Sequence, residues 1–170
     1  MKERKSEKRK LYLLVQTGMM TALICLLTAL IHIPTPTGYI HCGDAMIYLA
    51  AVTLPTPYAV CAASLGGGLA DFFSGYPAYI LPTAIIKALL AIAFRSISGN
   101  QRIGKRALAA AAVCCLITII GYWLAAAVLY GNLFAQLLET TPGNLIQGIG
   151  SAVLYFGIVR LMKKSGEAVN

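Results

Sequence analysis

The sequence predicts an all-α fold, an integral membrane bundle of six transmembrane helices with both termini in the cytoplasm. The first observation is composition, because 58% of the 170 residues are hydrophobic and 12% are charged, whereas a soluble domain carries about 25% charged residues. The second is a series of apolar runs, since a spanning helix needs about 20 such residues. The third is the distribution of basic residues, which six crossings place on one side of the membrane.

The apolar runs define a single membrane domain, residues 11–164, between a basic cytoplasmic tail at 1–10 and a short tail at 165–170. The long central stretch is broken into three helices by the turn signals "LPTP" and "SGYP". The second predicted helix is short for a spanning segment, so we expect it to be tilted, lengthened by its flanks or partly re-entrant. The six predicted helices cover residues 11–31, 43–54, 58–74, 79–95, 106–130 and 143–162.

The basic residues support the count of six. They cluster before helix 1, between helices 4 and 5 and after helix 6, and of the 14 lysines and arginines only Lys87 lies elsewhere. Five crossings would split these clusters between the two faces, against the positive-inside rule. The net charge of +8 is thereby explained by topology and by attraction to anionic lipid, so no nucleic-acid partner is expected.

Sequence motifs for catalysis are missing from the chain. It contains no HExxH, GxSxG, P-loop or dinucleotide-binding glycine motif, and its five cysteines show no metal-ligand spacing. His32 and His41 do not make a metal site without further ligands, and either is a substrate contact or a solvated loop histidine. We therefore expect no catalytic residue, no metal, no cofactor and no ATP hydrolysis by this chain alone.

Helix 1 and the loop that follows it carry two possible interaction features. Gly18 and Ala22 lie four residues apart, which lets another helix approach closely, although small residues are common in membrane helices in general. The outer loop, "HIPTPTGYIHCGD", holds aromatic and hydrogen-bonding side chains, among them Tyr39 and His41. This loop is either a lid over a site or a plain connector.

Three ionisable residues lie in the apolar half of the chain. Asp44 begins the second helix, where the helix dipole and capping favour an acid. Asp71 lies near the outer end of helix 3 and Lys87 near the middle of helix 4, roughly 7 Å apart in depth at about 1.5 Å per residue. Because an unpaired charge at the bilayer centre costs about 3 kcal/mol, the sequence predicts a structural ion pair between Asp71 and Lys87. Direct contact of either residue with a ligand stays open.

The outer halves of helices 5 and 6 add further polar and aromatic side chains. Trp123, with Tyr122 and Tyr130, is typical of a membrane-interface belt. Asn144 and Gln147 share one helix face, and buried amides require hydrogen-bond partners. That face suits a small polar ligand, and hydrogen bonding between helices explains it equally well.

These features together resemble the substrate-binding S component of an energy-coupling factor (ECF) vitamin transporter, in the riboflavin, hydroxymethylpyrimidine and pyridoxine group. The most specific part is "GDAMIYLAAVTLPTPYAVCAASLGGGLADFFSGYPAYILPTAIIKAL", preceded by the basic tail, the small-residue first helix and the proline-rich loop. The resemblance implies a six-helix bundle that captures its ligand from the outside under the loop after helix 1. It also implies that the protein is not an enzyme and works with a transmembrane coupling protein and two cytoplasmic ATPase subunits.

The resemblance implies site residues as well. Gly18 and Ala22 occupy the docking positions where the family commonly has two alanines, and glycine is a mild departure. A pyridoxine- or pyrimidine-like heterocycle is the favoured ligand, with riboflavin or a deazapurine precursor as rivals. A stand-alone channel or carrier is the alternative function. The expected substrate-binding residues are Tyr39, His41, Asp71, Lys87, Trp123, Asn144 and Gln147.

Overall fold

Six α-helices and one β-hairpin make up the computed structural model, which describes residues 2–35, 38–99 and 101–165. A short 3₁₀ turn, Pro77–Tyr79, leads into the fourth helix. The all-helical bundle predicted from the sequence is therefore confirmed, with the hairpin as an addition. The elements are α1 (Lys2–Ala29), β1 (His32–Thr35), β2 (Gly38–His41), α2 (Gly43–Thr53), α3 (Thr56–Phe73), α4 (Ile80–Ser98), α5 (Lys105–Tyr130) and α6 (Leu133–Lys164).

The segment after α1 forms an antiparallel hairpin, where the sequence indicated an irregular loop. His32 pairs with His41, and Pro34 pairs with Tyr39. Because side chains alternate between the two faces of a strand, these four residues share one face. The Tyr39 ring lies between the two imidazoles, with ring centroids 4.9 Å from His32 and 5.6 Å from His41. These aromatic contacts give the hairpin an ordered inner face.

Helix α2 lies in the middle of the bundle. It has 11 residues and a length of about 16 Å, and every residue from Gly43 to Val52 is buried. It contacts α1, α3, α4 and α6, while the remaining helices pack pairwise as α1 with α3, α3 with α4, α4 with α5 and α5 with α6. The short second helix is thus a core element covered by its neighbours.

Four of the helical segments in the described part of the chain are long and apolar enough to cross a membrane: Arg4–Ala29, Pro77–Ser98, Lys105–Tyr130 and Leu133–Lys164. Helix α3 has 18 residues and is about 27 Å long. The number of helices agrees with the sequence prediction, and the number of membrane crossings stays a prediction.

Helix α6 begins ten residues earlier than the sequence indicated, at Leu133. The sequence prediction began this helix at residue 143, directly after Pro142, but Pro142 lies inside the helix, and Asn132 is the N-cap residue. The Ala135 backbone N–H donates to Asn132 Oδ1 at 3.1 Å, which satisfies one free amide of the first turn. Proline inside a helix removes one backbone hydrogen bond and crowds the carbonyl of the preceding turn, a cost that this long helix tolerates. The extra turns add Glu139 and Thr140 to the outer end of the bundle.

The two ends of the bundle differ in charge. At one end, Arg95 Nη1 donates to the Ala51 carbonyl at 3.3 Å, and the Tyr155 hydroxyl donates to the Arg102 carbonyl at 2.9 Å. These contacts join the end of α2 to the end of α4, and the second half of α6 to the α4–α5 connection, close to the basic clusters. The hairpin lies at the opposite end, against the first half of α6.

Candidate functional site

A buried carboxylate connects three helices below the hairpin. Lys87 Nζ donates to Asp44 Oδ1 at 2.6 Å, and Gln147 Nε2 donates to Asp44 Oδ2 at 2.8 Å. Asp44 and Lys87 are completely buried. Both carboxylate oxygens therefore have a donor, and the first turn of α2 is tied to α4 and α6.

This pairing corrects the predicted ion pair between Asp71 and Lys87. Depth along the membrane was the only information available from the sequence, and it did not show that α2 occupies the centre of the bundle. The Lys87 side chain extends to Asp44 on α2, whereas Asp71 contacts the hairpin. Asp44 is in the first turn of α2, as predicted, but its carboxylate binds Lys87 and Gln147 instead of capping the helix.

The lysine is enclosed from two further sides. Its Nζ lies 5.3 Å from the centroid of the Tyr122 ring, a cation–π distance. The Tyr122 hydroxyl and Thr83 Oγ1 are 3.1 Å apart and share a hydrogen bond. On α3, a Cβ atom added to Gly67 would lie 2.8 Å from Lys87 Cγ, so glycine at this position makes room for the lysine stem.

A cavity of about 70 Å³ lies between the hairpin and the outer ends of α3, α4, α5 and α6. Four tyrosine side chains, from the hairpin, the turn before α4 and helix α5, form much of its wall. Gln147 connects this wall to the buried carboxylate below. Aromatic rings beside a few fixed polar groups are typical of small-molecule sites. The residues that line it are Tyr39, Ile40, His41, Asp71, Tyr76, Tyr79, Tyr122, Glu139, Thr140, Gly143, Asn144 and Gln147.

Asp71 is the buried acid of the cavity. Its side chain is 4% exposed, and the Tyr39 hydroxyl donates to Oδ1 at 2.5 Å. Its second oxygen, Oδ2, makes no hydrogen bond of standard geometry. Burial and the neighbouring Asp71 raise the pKa of Tyr39 well above its ordinary value, so the phenol stays protonated and donates. The carboxylate is thus held by the hairpin, with one acceptor atom unused.

His41 is an uncharged member of the same wall. The Gly43 backbone N–H donates to His41 Nδ1 at 3.1 Å, which requires that nitrogen to be unprotonated. Burial, with the positive charge of Lys87, lowers the pKa of His41 from 6.5 to about 3. The neutral ring carries its proton on Nε2, as a hydrogen-bond donor.

The pKa of His41 predicts a specific loss of stability in acid. Because the unfolded chain takes up a proton below pH 6.5 and the folded chain does so only near pH 3, stability falls as the pH drops through this window. Between about pH 7.5 and about pH 5, His41→Gln should lose about 2 kcal/mol less unfolding free energy than the unaltered protein. Unfolding in detergent at both pH values measures this, with His32→Gln as the control. Equal losses in all three proteins would contradict the assignment.

The cavity brings together most of the predicted substrate-binding residues. Five of the seven line it: Tyr39, His41, Asp71, Asn144 and Gln147. Their roles in binding stay predictions.

Two predicted residues lie apart from the cavity wall. Lys87 is behind Tyr122 and paired with Asp44. Trp123 is directed away from the cavity, and its Nε1–H donates to the Leu133 carbonyl at 2.8 Å, which links the end of α5 to the start of α6.

Several lining residues were not predicted. Tyr76 and Tyr79 are in the turn before α4, which the sequence showed only as a break between helices. Glu139 and Thr140 belong to the turns of α6 that precede Pro142. Tyr122 was assigned to an interface belt. The one sequence feature that could have identified them is their position, because all these residues lie near the predicted outer ends of helices.

Gly18 and Ala22 lie on an exposed face of α1, far along the helix from the hairpin. A Cβ atom at Gly18 would have no neighbour within 4 Å. An apolar groove runs along this face between α1 and α3, lined by Thr17, Gly18, Thr21, Ala22, Cys25, Leu26, Leu65 and Leu69. Within the described residues, no group of three or more His, Cys, Asp or Glu side chains is arranged to hold a metal ion.

Comparisons with known proteins match nearly the whole bundle. The family model for the ECF-type riboflavin transporter S component matches residues 8–164. A Pyrococcus woesei protein, described as an uncharacterized protein in the gap 3′ region, is 29% identical over 139 residues, which cover 81% of this chain and 92% of that protein. A solved structure described as the S component of a bacterial ECF transporter aligns with a TM-score of 0.77 at 20% identity, over 94% of this chain and 99% of that one, and supports the fold. The chain therefore belongs to the family of ECF-type riboflavin transporter S components, which are transporter subunits and not enzymes.

Proposed function

We propose that this chain captures a small heterocyclic vitamin or vitamin precursor at the outer face of the cell membrane and delivers it to partner subunits for ATP-driven import. The observation that carries the proposal is the cavity under the hairpin, where four tyrosines surround Asp71, Asn144 and Gln147. Aromatic rings stack on a heterocycle, and the acid and amides provide hydrogen bonds that orient it. Membership in the S-component family supports the same function.

The charge difference between the two ends of the bundle supports an outward-facing cavity. The basic residues of the tail, the α4–α5 connection and the end of α6 lie at the end opposite the hairpin. Lysine and arginine are enriched on the cytoplasmic side of membrane proteins. We propose six crossings with both termini inside, an arrangement in which the hairpin and the cavity face the outside.

The size of the cavity favours a small ligand. Its volume of about 70 Å³ is below the range of about 300–1,000 Å³ for small-molecule sites, so a bound ligand requires the wall to move outward. A one-ring heterocycle of pyridoxine or pyrimidine type needs less movement than a three-ring flavin. Riboflavin, which the name of the family model supports, is the alternative ligand.

Two measurements test this function. Mass spectrometry should identify a small heterocycle that co-purifies with the protein, and calorimetry should show that the same compound binds. Vesicles that contain this chain, a coupling protein and two ATPase subunits should accumulate the ligand only with ATP. Accumulation by vesicles that contain this chain alone would overturn the proposal and favour a stand-alone carrier or channel.

The exposed face of α1 suits the coupling protein. Lipid offers no hydrophobic drive for helix association, so close contact between backbones at small residues becomes the main attraction. Gly18 and Ala22 provide such a place beside an apolar groove. We propose this face as the docking site for the transmembrane coupling protein.

Docking at this face predicts a separation of transport from binding. Gly18→Leu or Ala22→Leu should abolish ATP-driven uptake while the ligand affinity stays within about twofold, because the two sites share no residue. Gly157→Leu is the matched control, since Gly157 is an equally open helix glycine on α6. Unchanged uptake in the α1 variants, or a matching loss in the control, would contradict this assignment.

A further inference from the structure

We propose that the cavity selects an uncharged or cationic heterocycle that donates an N–H or O–H hydrogen bond to Asp71 Oδ2, and that it rejects phosphate esters and carboxylates. This inference rests on the proposed function and defines its ligand class. It predicts that the free vitamin or precursor binds and that its phosphorylated form does not.

The first support is the charge of the cavity wall. Among the described lining residues, the charged side chains are the two carboxylates Asp71 and Glu139, and no lysine or arginine is present. Lys87 lies behind Tyr122 and is neutralised by Asp44, whose Oδ1 is 2.6 Å from Lys87 Nζ. His41 accepts a hydrogen bond at Nδ1 and is uncharged. The wall is therefore net acidic.

The second support is the unused acceptor on Asp71. The residue is 4% exposed, Oδ1 is bonded to Tyr39, and the buried Oδ2 makes no hydrogen bond of standard geometry. The Thr83 hydroxyl lies close to the carboxylate but shares a hydrogen bond with Tyr122. A buried carboxylate oxygen without a donor is costly, and burial out of water strengthens any hydrogen bond it then receives. Since Asp71 lines the cavity, a ligand donor there would complete its hydrogen bonding. Ring N–H, amino and hydroxyl groups of heterocycles are such donors.

The same geometry disfavours anions. A phosphate ester carries a charge of about −1.5 to −2 at neutral pH and offers mainly acceptor oxygens. Beside Asp71, the phosphate oxygens would face carboxylate oxygens that are also hydrogen-bond acceptors. The two negative charges would repel each other in a poorly hydrated space. The basic clusters that could compensate lie at the other end of the bundle.

Matched ligand pairs test the inference on the unaltered protein. The probes are riboflavin and its 5′-phosphate, pyridoxine and its 5′-phosphate, and hydroxymethylpyrimidine and its phosphate, with calorimetry on the purified protein. In the pair that binds, the phosphorylated form should have an affinity at least about 100-fold lower than the free form, because like charges placed together in a buried site repel strongly. A phosphate form that binds within about tenfold of its partner would overturn charge selection while leaving the proposed function intact. Binding of none of the six probes would overturn the proposed function, and this inference with it.

Variants at Asp71 provide the second arm. Asp71→Asn replaces the carboxylate with an uncharged amide of similar size. It should lower the affinity for the unphosphorylated probe at least about tenfold. It should also reduce the difference in affinity between that probe and its phosphorylated form. Glu7→Gln is the matched control, because Glu7 is an exposed carboxylate near the start of α1, away from the cavity, and its loss should change affinity less than about threefold. Tyr39→Phe is the substitute variant if Asp71→Asn does not fold, because it keeps the carboxylate and removes the hydroxyl that holds it. The affinity for the unphosphorylated probe should fall, since the carboxylate is then less firmly positioned. Unchanged affinity in folded Asp71→Asn would overturn the inference.

Discussion

Lys87→Met is expected to destabilise the protein by about 3–5 kcal/mol, because it leaves the Asp44 carboxylate buried without its cation. Asp44→Asn should have a similar effect, since it strands the ammonium group of Lys87. The double variant Asp44→Asn/Lys87→Met removes both charges and should recover much of the loss. Thermal denaturation of the detergent-solubilised proteins measures the stability of all three variants.

The matched cycle uses Asp71 in place of Asp44. Asp71→Asn and Lys87→Met should combine additively, because Asp71 bonds to Tyr39 and Lys87 bonds to Asp44. Residues in contact show coupling energies of about 0.5–3 kcal/mol, whereas independent sites add. Strong coupling in the Asp71 cycle and additivity in the Asp44 cycle would mean that the lysine pairs with the other acid.

Gly148→Ala is expected to destabilise the contact between α5 and α6 by about 1–3 kcal/mol, the usual cost of overpacking. A Cβ atom at this position would lie 2.4 Å from Cys115 Sγ and 2.9 Å from Cys115 Cβ, well inside van der Waals contact. Gly150→Ala, two residues along the same helix, is the control. No atom lies within 4 Å of its added Cβ, so the change should be neutral or stabilise the helix by up to about 1 kcal/mol.

A second substitution at Cys115 tests whether contact with this residue causes the destabilisation of Gly148→Ala. Cys115→Ala removes the sulfur and should restore part of the stability of Gly148→Ala, although the Cβ contact persists. Thermal unfolding of the two single variants and of the double variant gives the coupling. If Gly150→Ala proved as destabilising as Gly148→Ala, helix propensity or the membrane environment, and not contact with Cys115, would explain both.

The architecture was predictable where hydrophobicity and charge decide it. Long apolar runs and turn residues such as Pro55 and Gly75 gave the six helices, and the basic clusters distinguished the ends of the bundle. Helix α6 was predicted too short because Pro142 is a local signal for a helix boundary, whereas packing across the bundle keeps the helix continuous. The hairpin was missed because two prolines in a short loop argue against strands.

The cavity was predictable in part. Polar residues inside an apolar sequence, such as Asp71 and Gln147, are conspicuous, and the cavity contains both. The partner of Lys87 was not predictable. The depths of Asp71 and Lys87 along α3 and α4 do not show that α2 lies close enough for Asp44 to reach the lysine. Tyr122 and Trp123 are adjacent in sequence and point to different surroundings, a difference that depends on the rotation of α5 and not on composition.

The connections of Asp44 have a consequence for the biogenesis of the protein. Its second partner, Gln147, is 103 residues further along the chain, which is on the order of 5–20 s of synthesis at about 5–20 residues per second. During that interval α2, too short to span a bilayer alone, carries an acid whose hydrogen bonds are incomplete. The centre of the bundle is therefore completed only when α6 has been made, and a chain that ends before Gln147 would leave one oxygen of the Asp44 carboxylate without its donor.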